Sequence, residues 1–202
     1  MRLLRAVLRR DGSEDERLAR LLVVASLPAA LIGFVLDQAL EGKYGPEWLI
    51  GVMLIVFGVL LALADRLPER RAIGAIGARD ALLMGSAQAL ALQPGVSRSG
   101  ATMSMGRWLG LDRDAATRFS FLMSLPITGG AAAYEGIDLF VLGDGLPRAF
   151  AAPFAWGIVA SAVTGFLAVW GLLRLIRTRS FAPFVVYRIV VGALVIGVAL
   201  AR

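Results

Sequence analysis

The chain has 202 residues, 58% of them hydrophobic, with a mean hydropathy of +0.74 and a formal charge of +6. That apolar share excludes an ordinary soluble domain, and the basic residues fall between apolar segments, so they read as topology determinants and not as a nucleic-acid surface. Cysteine and histidine are both absent, which excludes disulfides, thiolate chemistry and the commonest general base and metal ligand.

The N-terminus carries Arg2, Arg5, Arg9 and Arg10 and turns acidic before any long apolar run, which is not the pattern of a cleavable signal peptide. Residues 1–20 therefore read as a cytoplasmic basic segment. Apolar segments follow at 21–36, 48–64, 81–92, 101–109, 119–134, 154–173 and 183–201. The run 154–173 is 20 residues long without a charge, enough to span about 30 Å of hydrocarbon as helix. The third and fourth segments, 12 and 9 residues, are too short to span. Together they predict a re-entrant helix–loop–helix over 80–110, whose non-helical tip must be buried in protein or line a cavity.

Charge supports the same topology. Lys and Arg number six in 1–20, one in 37–47, four in 65–79, three in 107–118, one in 135–152 and three in 174–182. With basic loops in the cytoplasm, the order is in, out, in, in, out, in. Only a hairpin that returns to its own side gives that order. The expected fold is an all-α integral membrane protein, one membrane domain over 1–202, with about five transmembrane helices plus the hairpin. Pro28, and Pro126 with Gly129 and Gly130, read as ordinary kinks in spanning helices. Arg188 interrupts the last segment and reads either as a side chain snorkelling to the cytoplasmic face or as part of a site.

Between the two short segments lies Pro-Gly-Val-Ser-Arg-Ser-Gly-Ala-Thr, residues 94–102. An arginine at membrane depth marks a functional site. If the second half-helix starts near Ser99, its first amides are unpaired and carry partial positive charge. Ser97 or Ser99 suits the N-cap, and Thr102 on the first turn has a hydroxyl free for a ligand. Arg98 offers a planar fork of donors matched to a phosphate edge. Gly95 and Gly100 let an anion approach the backbone, and Pro94 ends the preceding half-helix. The competing reading is a cytoplasmic loop between two interfacial helices, with Arg98 solvated. Gln88, on the first half-helix, either binds a ligand or bonds a neighbouring helix. The acidic residues Asp37, Glu41, Asp65, Glu69, Asp80, Asp112, Asp114, Glu135 and Asp138 fall at segment ends. They offer no paired carboxylates on an apolar face to hold a metal or act as a base.

The run Ala-Gln-Ala-Leu-Ala-Leu-Gln-Pro-Gly-Val-Ser-Arg-Ser-Gly-Ala-Thr (87–102) resembles the signature of bacterial undecaprenyl-diphosphatases of the BacA/UppP type. Arg-Phe-Ser-Phe-Leu (118–122) and Ser-Phe-Ala-Pro-Phe-Val-Val-Tyr-Arg (180–188) extend the likeness. The resemblance implies hydrolysis of undecaprenyl diphosphate to the monophosphate in the bacterial inner (plasma) membrane, recycling the lipid carrier for peptidoglycan synthesis. It assigns Ser97, Arg98 and Thr102 to holding the diphosphate, with Gly95, Ser99, Gly100 and Gln88 as substrate-binding candidates. It also implies a divalent cation, Mg²⁺ or Ca²⁺, with ligands outside this chain, and a fold of inverted repeats with two re-entrant hairpins. The family's first repeat, with a Glu-rich half-helix and a Ser-rich loop ending in His, has no counterpart here. The expectation is a chain lacking that repeat, with nucleophile and general base elsewhere. An inactive fragment, a polyprenyl-phosphate transporter and a non-catalytic binding protein stand as alternatives, and whether the chain pairs as a homodimer is left open.

Overall fold

The computed structural model describes residues 12–40, 45–143, 145–176 and 180–201, together with Ala6. The basic residues Arg2, Arg5, Arg9, Arg10, Lys43, Arg177 and Arg179 lie outside the described residues, as do Glu41 and the side chain of Asp37. Seven α-helices appear among the described residues: α1 (Glu14–Leu40), α2 (Glu47–Asp65), α3 (Ala78–Ala89), α4 (Arg98–Trp108), α5 (Arg113–Ile137), α6 (Arg148–Ile176) and α7 (Ala182–Leu200). No strand occurs among them. Each apolar segment of the sequence becomes one helix, extended outward where polar residues supply the ends. Ser13 Oγ accepts the Glu16 amide at 3.2 Å and opens α1. Asp112 Oδ1 accepts the Ala115 amide at 2.6 Å and opens α5. Such oxygens satisfy first-turn amides that have no partner within the helix.

Length and composition together qualify α2, the 149–174 stretch of α6 and α7 as membrane-crossing helices. α1 and α5, with 27 and 25 residues, are long enough at roughly 1.5 Å per residue, but polar residues interrupt them. α6 carries no charge over 154–173, and none of its crossing stretch is buried against the rest of the chain, as suits a helix facing lipid.

Two close pairings frame the hairpin. α2 and α7 run antiparallel with small residues at the contact. A Cβ on Gly51 would lie 2.6 Å from the Gly192 carbonyl, and one on Gly192 would lie 2.7 Å from that of Gly51. Such close approach lets backbones gain dispersion contact where lipid offers no hydrophobic driving force. α1 and α3 run parallel. Arg17 donates to the carbonyls of Gly74 at 3.1 Å and Ile76 at 2.8 Å, and a Cβ on Gly85 would overlap the Ala25 carbonyl.

α3 and α4 are the arms of a hairpin whose outer ends meet. The Gly110 carbonyl accepts the amides of Arg70 and Arg71 at 3.1 and 3.0 Å, and the Asp112 amide donates to the Arg71 carbonyl at 2.8 Å. The chain thus leaves α4 beside the point where it entered α3. The 12 residues of α3 rise about 18 Å, so the tip lies well inside the bundle. A buried cluster of Leu22, Ala81, Met84, Ala116 and Phe119 packs the hairpin against α1 and α5, and Leu61, Met103, Phe181 and Val185 join α4 to α2 and α7.

Candidate functional site at the hairpin tip

At the base, arginines meet carboxylates. Arg113 binds Asp65 and Glu69, each at 2.6 Å, and Arg71 binds Asp80 at 2.6 Å. The Arg71 guanidinium holds the Asp80 carboxyl below its ordinary value, with help from the Gly77 amide, against the opposing effect of burial. Asp65 also accepts the Phe181 amide at 3.1 Å, tying the start of α7 to the end of α2. These acids neutralise the base and hold it together, so the segment-end carboxylates do more than face solvent.

The tip is built differently. After the single turn Leu90–Leu92, Pro94 leads into Gly95, whose φ of +91° favours glycine and whose absent Cβ would overlap the Ile50 carbonyl. Val96 is buried. Ser97 has φ +67° and ψ 114°, sparsely populated for a residue with a side chain. Its Oγ accepts the Gly100 amide at 3.3 Å, so Ser97 is the N-cap and α4 starts at Arg98. The first intrahelical bond is Ala101 N–H to the Ser97 carbonyl at 3.0 Å. The amides of Arg98 and Ser99 precede it and remain available as donors, with the helix dipole behind them.

The Arg98 side chain is exposed and donates from Nη1 to Thr128 Oγ1 on α5 at 3.2 Å. Ser99 is half-buried beside it. Arg98, Ser97, Ser99, Gly95 and Gly100 are therefore together at the tip. Thr102 is not open to a ligand. It is fully buried, and its hydroxyl donates to the Arg98 and Ser99 carbonyls at 2.9 and 3.2 Å and pairs with Ser120 Oγ. Threonine in a helix commonly bonds back one turn, and α5 covers the rest, so Thr102 holds the first turn instead of projecting from it. Gln88 is only 4% exposed, and neither end of its carboxamide has a hydrogen-bond partner among the described residues. It bonds no neighbouring helix among the described residues. It sits on the face of α3 that carries the buried Ala81, Met84 and Gly85.

Arg188 corrects the snorkelling expectation. It is 6% exposed and points inward, donating to the carbonyls of Leu54 at 3.3 Å, Gly95 at 2.9 Å and Val96 at 2.8 Å. Its spacing from the buried N-cap Phe181 and from Val185, buried on α7, is the signal that could have found it: positions i, i+4 and i+7 share a face. Ser120 and Thr128 were also missed. Thr128 lies two residues after Pro126, within the continuous helix α5, so the stretch of α5 around that proline borders the site.

The tip thus offers the Arg98 fork, first-turn amides and serine hydroxyls, with the charge of Arg188 behind them and no carboxylate bonded to either arginine among the described residues. Such a donor set suits an anion with several oxygens. Against known proteins, the family described as "Bacitracin resistance protein BacA" matches residues 1–194. An undecaprenyl-diphosphatase of Nocardioides sp. (strain ATCC BAA-499 / JS614) is 47% identical over 188 residues, covering 90% of this chain and 66% of the relative. One from Pelotomaculum thermopropionicum is 44% identical over 201 residues, covering 99% of this chain and 74% of the relative. One from Desulforudis audaxviator is 41% identical over 203 residues, covering 100% and 76%. The chain spans 66 to 76% of the length of these curated relatives.

Proposed function

The chain belongs to the bacitracin resistance protein BacA family, and from that membership we propose that it hydrolyses undecaprenyl diphosphate to undecaprenyl phosphate and inorganic phosphate. The reaction recycles a lipid carrier for cell-wall synthesis, and we assign it to the bacterial inner membrane. The phosphoanhydride P–O bond breaks, an oxygen from water joins the terminal phosphorus, and the bridging oxygen stays on the lipid phosphate.

One observation carries this reading: the Arg98 fork is exposed beside the free amides of α4's first turn, at the tip of a hairpin set deep in the bundle. Charge spreads over the transferred phosphoryl oxygens in the transition state, and fixed donors lower its energy without reorganising. Arg98 would grip two phosphoryl oxygens, and the Arg98 and Ser99 amides would take another. Thr102, through Ser120 and the first-turn carbonyls, keeps that turn in shape. The half-buried Ser97 caps it.

The divalent cation that the resemblance implies does not fit these residues. The donors at the tip are N–H and O–H groups, and no group of three acidic residues able to hold a metal occurs among the described residues. No step of this reading runs through a metal. The test is phosphate release from a polyprenyl diphosphate by the purified protein in lipid vesicles. Release that depends on Arg98 is expected. Movement of the lipid between leaflets with no phosphate released would replace the phosphatase reading with the transporter one.

A further inference from the structure

We propose that Arg188 is a positioning residue: it holds the hairpin tip in its strained form and acts on the bound phosphate through the loop, without touching it. The inference rests on the phosphatase reading of the same site and adds to it a group from the last helix.

The path of the side chain supports this. Arg188 lies seven residues along α7 from Phe181, which Asp65 holds against the end of α2. From there the side chain crosses between two glycines. A Cβ on Gly58 would come within 3.3 Å of Arg188 Cβ, and one on Gly100 within 3.1 Å of Arg188 Nη1. Both distances are tight contacts, so a slot bounded by α2 and α4 is left clear for this side chain. At its end, Nη2 donates to the Gly95 and Val96 carbonyls and Nε to that of Leu54. No ion pair to Arg188 occurs among the described residues, and its charge rests on neutral oxygens.

The two loop carbonyls it holds are the ones that matter for the anion. They belong to the peptide groups joining Gly95 to Val96 and Val96 to Ser97. Those groups lie between the two positive-φ residues, Gly95 at +91° and Ser97 at +67°. Glycine takes such a φ freely, but Ser97 is a residue with a side chain held in a sparsely populated region, which persists only where surrounding contacts over-determine it. In a trans peptide the C=O and N–H point opposite ways. Pinning the Val96 carbonyl toward α7 therefore turns the Ser97 amide away from Arg188 and toward the start of α4, where the Arg98 and Ser99 amides also lie. The guanidinium sits behind the loop as a buried positive charge, with Nε and Nη2 committed to carbonyls and Nη1 beside Gly100 at the start of α4. An arginine that gripped the phosphate itself would present its fork to the open side, as Arg98 does.

The experiment compares the unaltered protein with Arg188→Lys and Arg188→Met in lipid vesicles, using a polyprenyl diphosphate. It reads kcat and KM from phosphate release and amide hydrogen exchange over residues 94–100. Both variants should lose roughly a hundredfold in kcat, the scale set by misplacing reacting groups by about 1 Å, with KM within about threefold because the lipid tail binds elsewhere. Exchange at the tip should rise roughly tenfold while α2 and α7 stay protected. Lysine keeps the charge but loses the fork, so wild-type kcat in Arg188→Lys overturns the proposal. Lost turnover with unchanged tip exchange also overturns it, and makes Arg188 a phosphate contact. If Arg188→Met does not fold, Arg188→Lys carries the test alone. Exchange needs no substrate, so an unaltered protein that releases no phosphate would overturn the phosphatase reading while the exchange comparison still decides what Arg188 does to the loop.

Discussion

The base and the tip of the hairpin are both arginine-rich, yet they handle arginine in opposite ways. At the base, Arg71 meets Asp80, and Arg113 meets Asp65 and Glu69. Arg107, buried there, donates to the Leu67 and Leu111 carbonyls, with Glu69, Asp65 and Asp112 close enough to act on its charge. At the tip, Arg188 meets three carbonyls and Arg98 meets a threonine hydroxyl. One end is neutralised and the other is left positive. Uncompensated charge inside a membrane protein is costly and is kept where a ligand of opposite sign supplies the missing partner. The base therefore reads as a staple and the tip as a receptor for an anion.

The largest effect that would break this contrast lies at Arg98. Arg98→Ala should cut kcat by about a thousandfold or more, the scale seen when a charged group on a transferring phosphoryl is removed, with little change in thermal unfolding. Near-normal phosphate release in that variant would end the assignment of the tip as the anion site.

Gly95→Ala comes next. The new methyl would collide with the Ile50 carbonyl at a φ that disfavours any side chain. A loss of about 2 kcal/mol or more of stability is expected, with turnover falling further than stability alone explains. Unfolding and phosphate release measured on one preparation separate the two. Thr128→Val removes the hydroxyl that Arg98 leans on at an exposed position. It should lower kcat/KM roughly threefold to tenfold, and Thr128→Ser should restore it.

The smallest effect belongs to the base. Asp80→Asn should leave kcat within about twofold while lowering stability by about 1 kcal/mol at neutral pH, a figure discounted because the Arg71 side chain is 34% exposed. The Asp80 carboxyl is held below its ordinary value, so its contribution is present above the unfolded carboxylate range. That contribution disappears as pH falls through the lower folded value. Unfolding curves of variant and wild type should separate at neutral pH and converge in acid. A kcat loss as deep as that of Arg98→Ala would erase the distinction between staple and receptor.

Local properties carried much of this structure. Seven apolar runs became seven helices, from 48–64 within Glu47–Asp65 to 183–201 against Ala182–Leu200. Run length separated the hairpin arms from spanning helices, because hydrocarbon thickness sets a length requirement that a linear chain displays. The tip was legible too: Pro94, Gly95, Ser97 and Arg98 are neighbours, and an N-cap is decided within four residues. Thr102 was misread because its hydroxyl has two competing uses, and Ser120 on α5 settles which one it takes.

By itself, the sequence determined that this is a helical membrane protein with one short hairpin tipped by a glycine-flanked Ser-Arg-Ser loop, since periodicity, run length and charge order are all local. Only the tertiary structure decided that Arg188, 92 residues from Val96, holds that loop. It also decided that Asp65 ties α2 to α7 across 116 residues, and that Thr128 of α5 meets Arg98 at the tip. Such pairings arise from which helices pack together, and an arginine that must bury its charge takes whichever carbonyls the packing brings within reach.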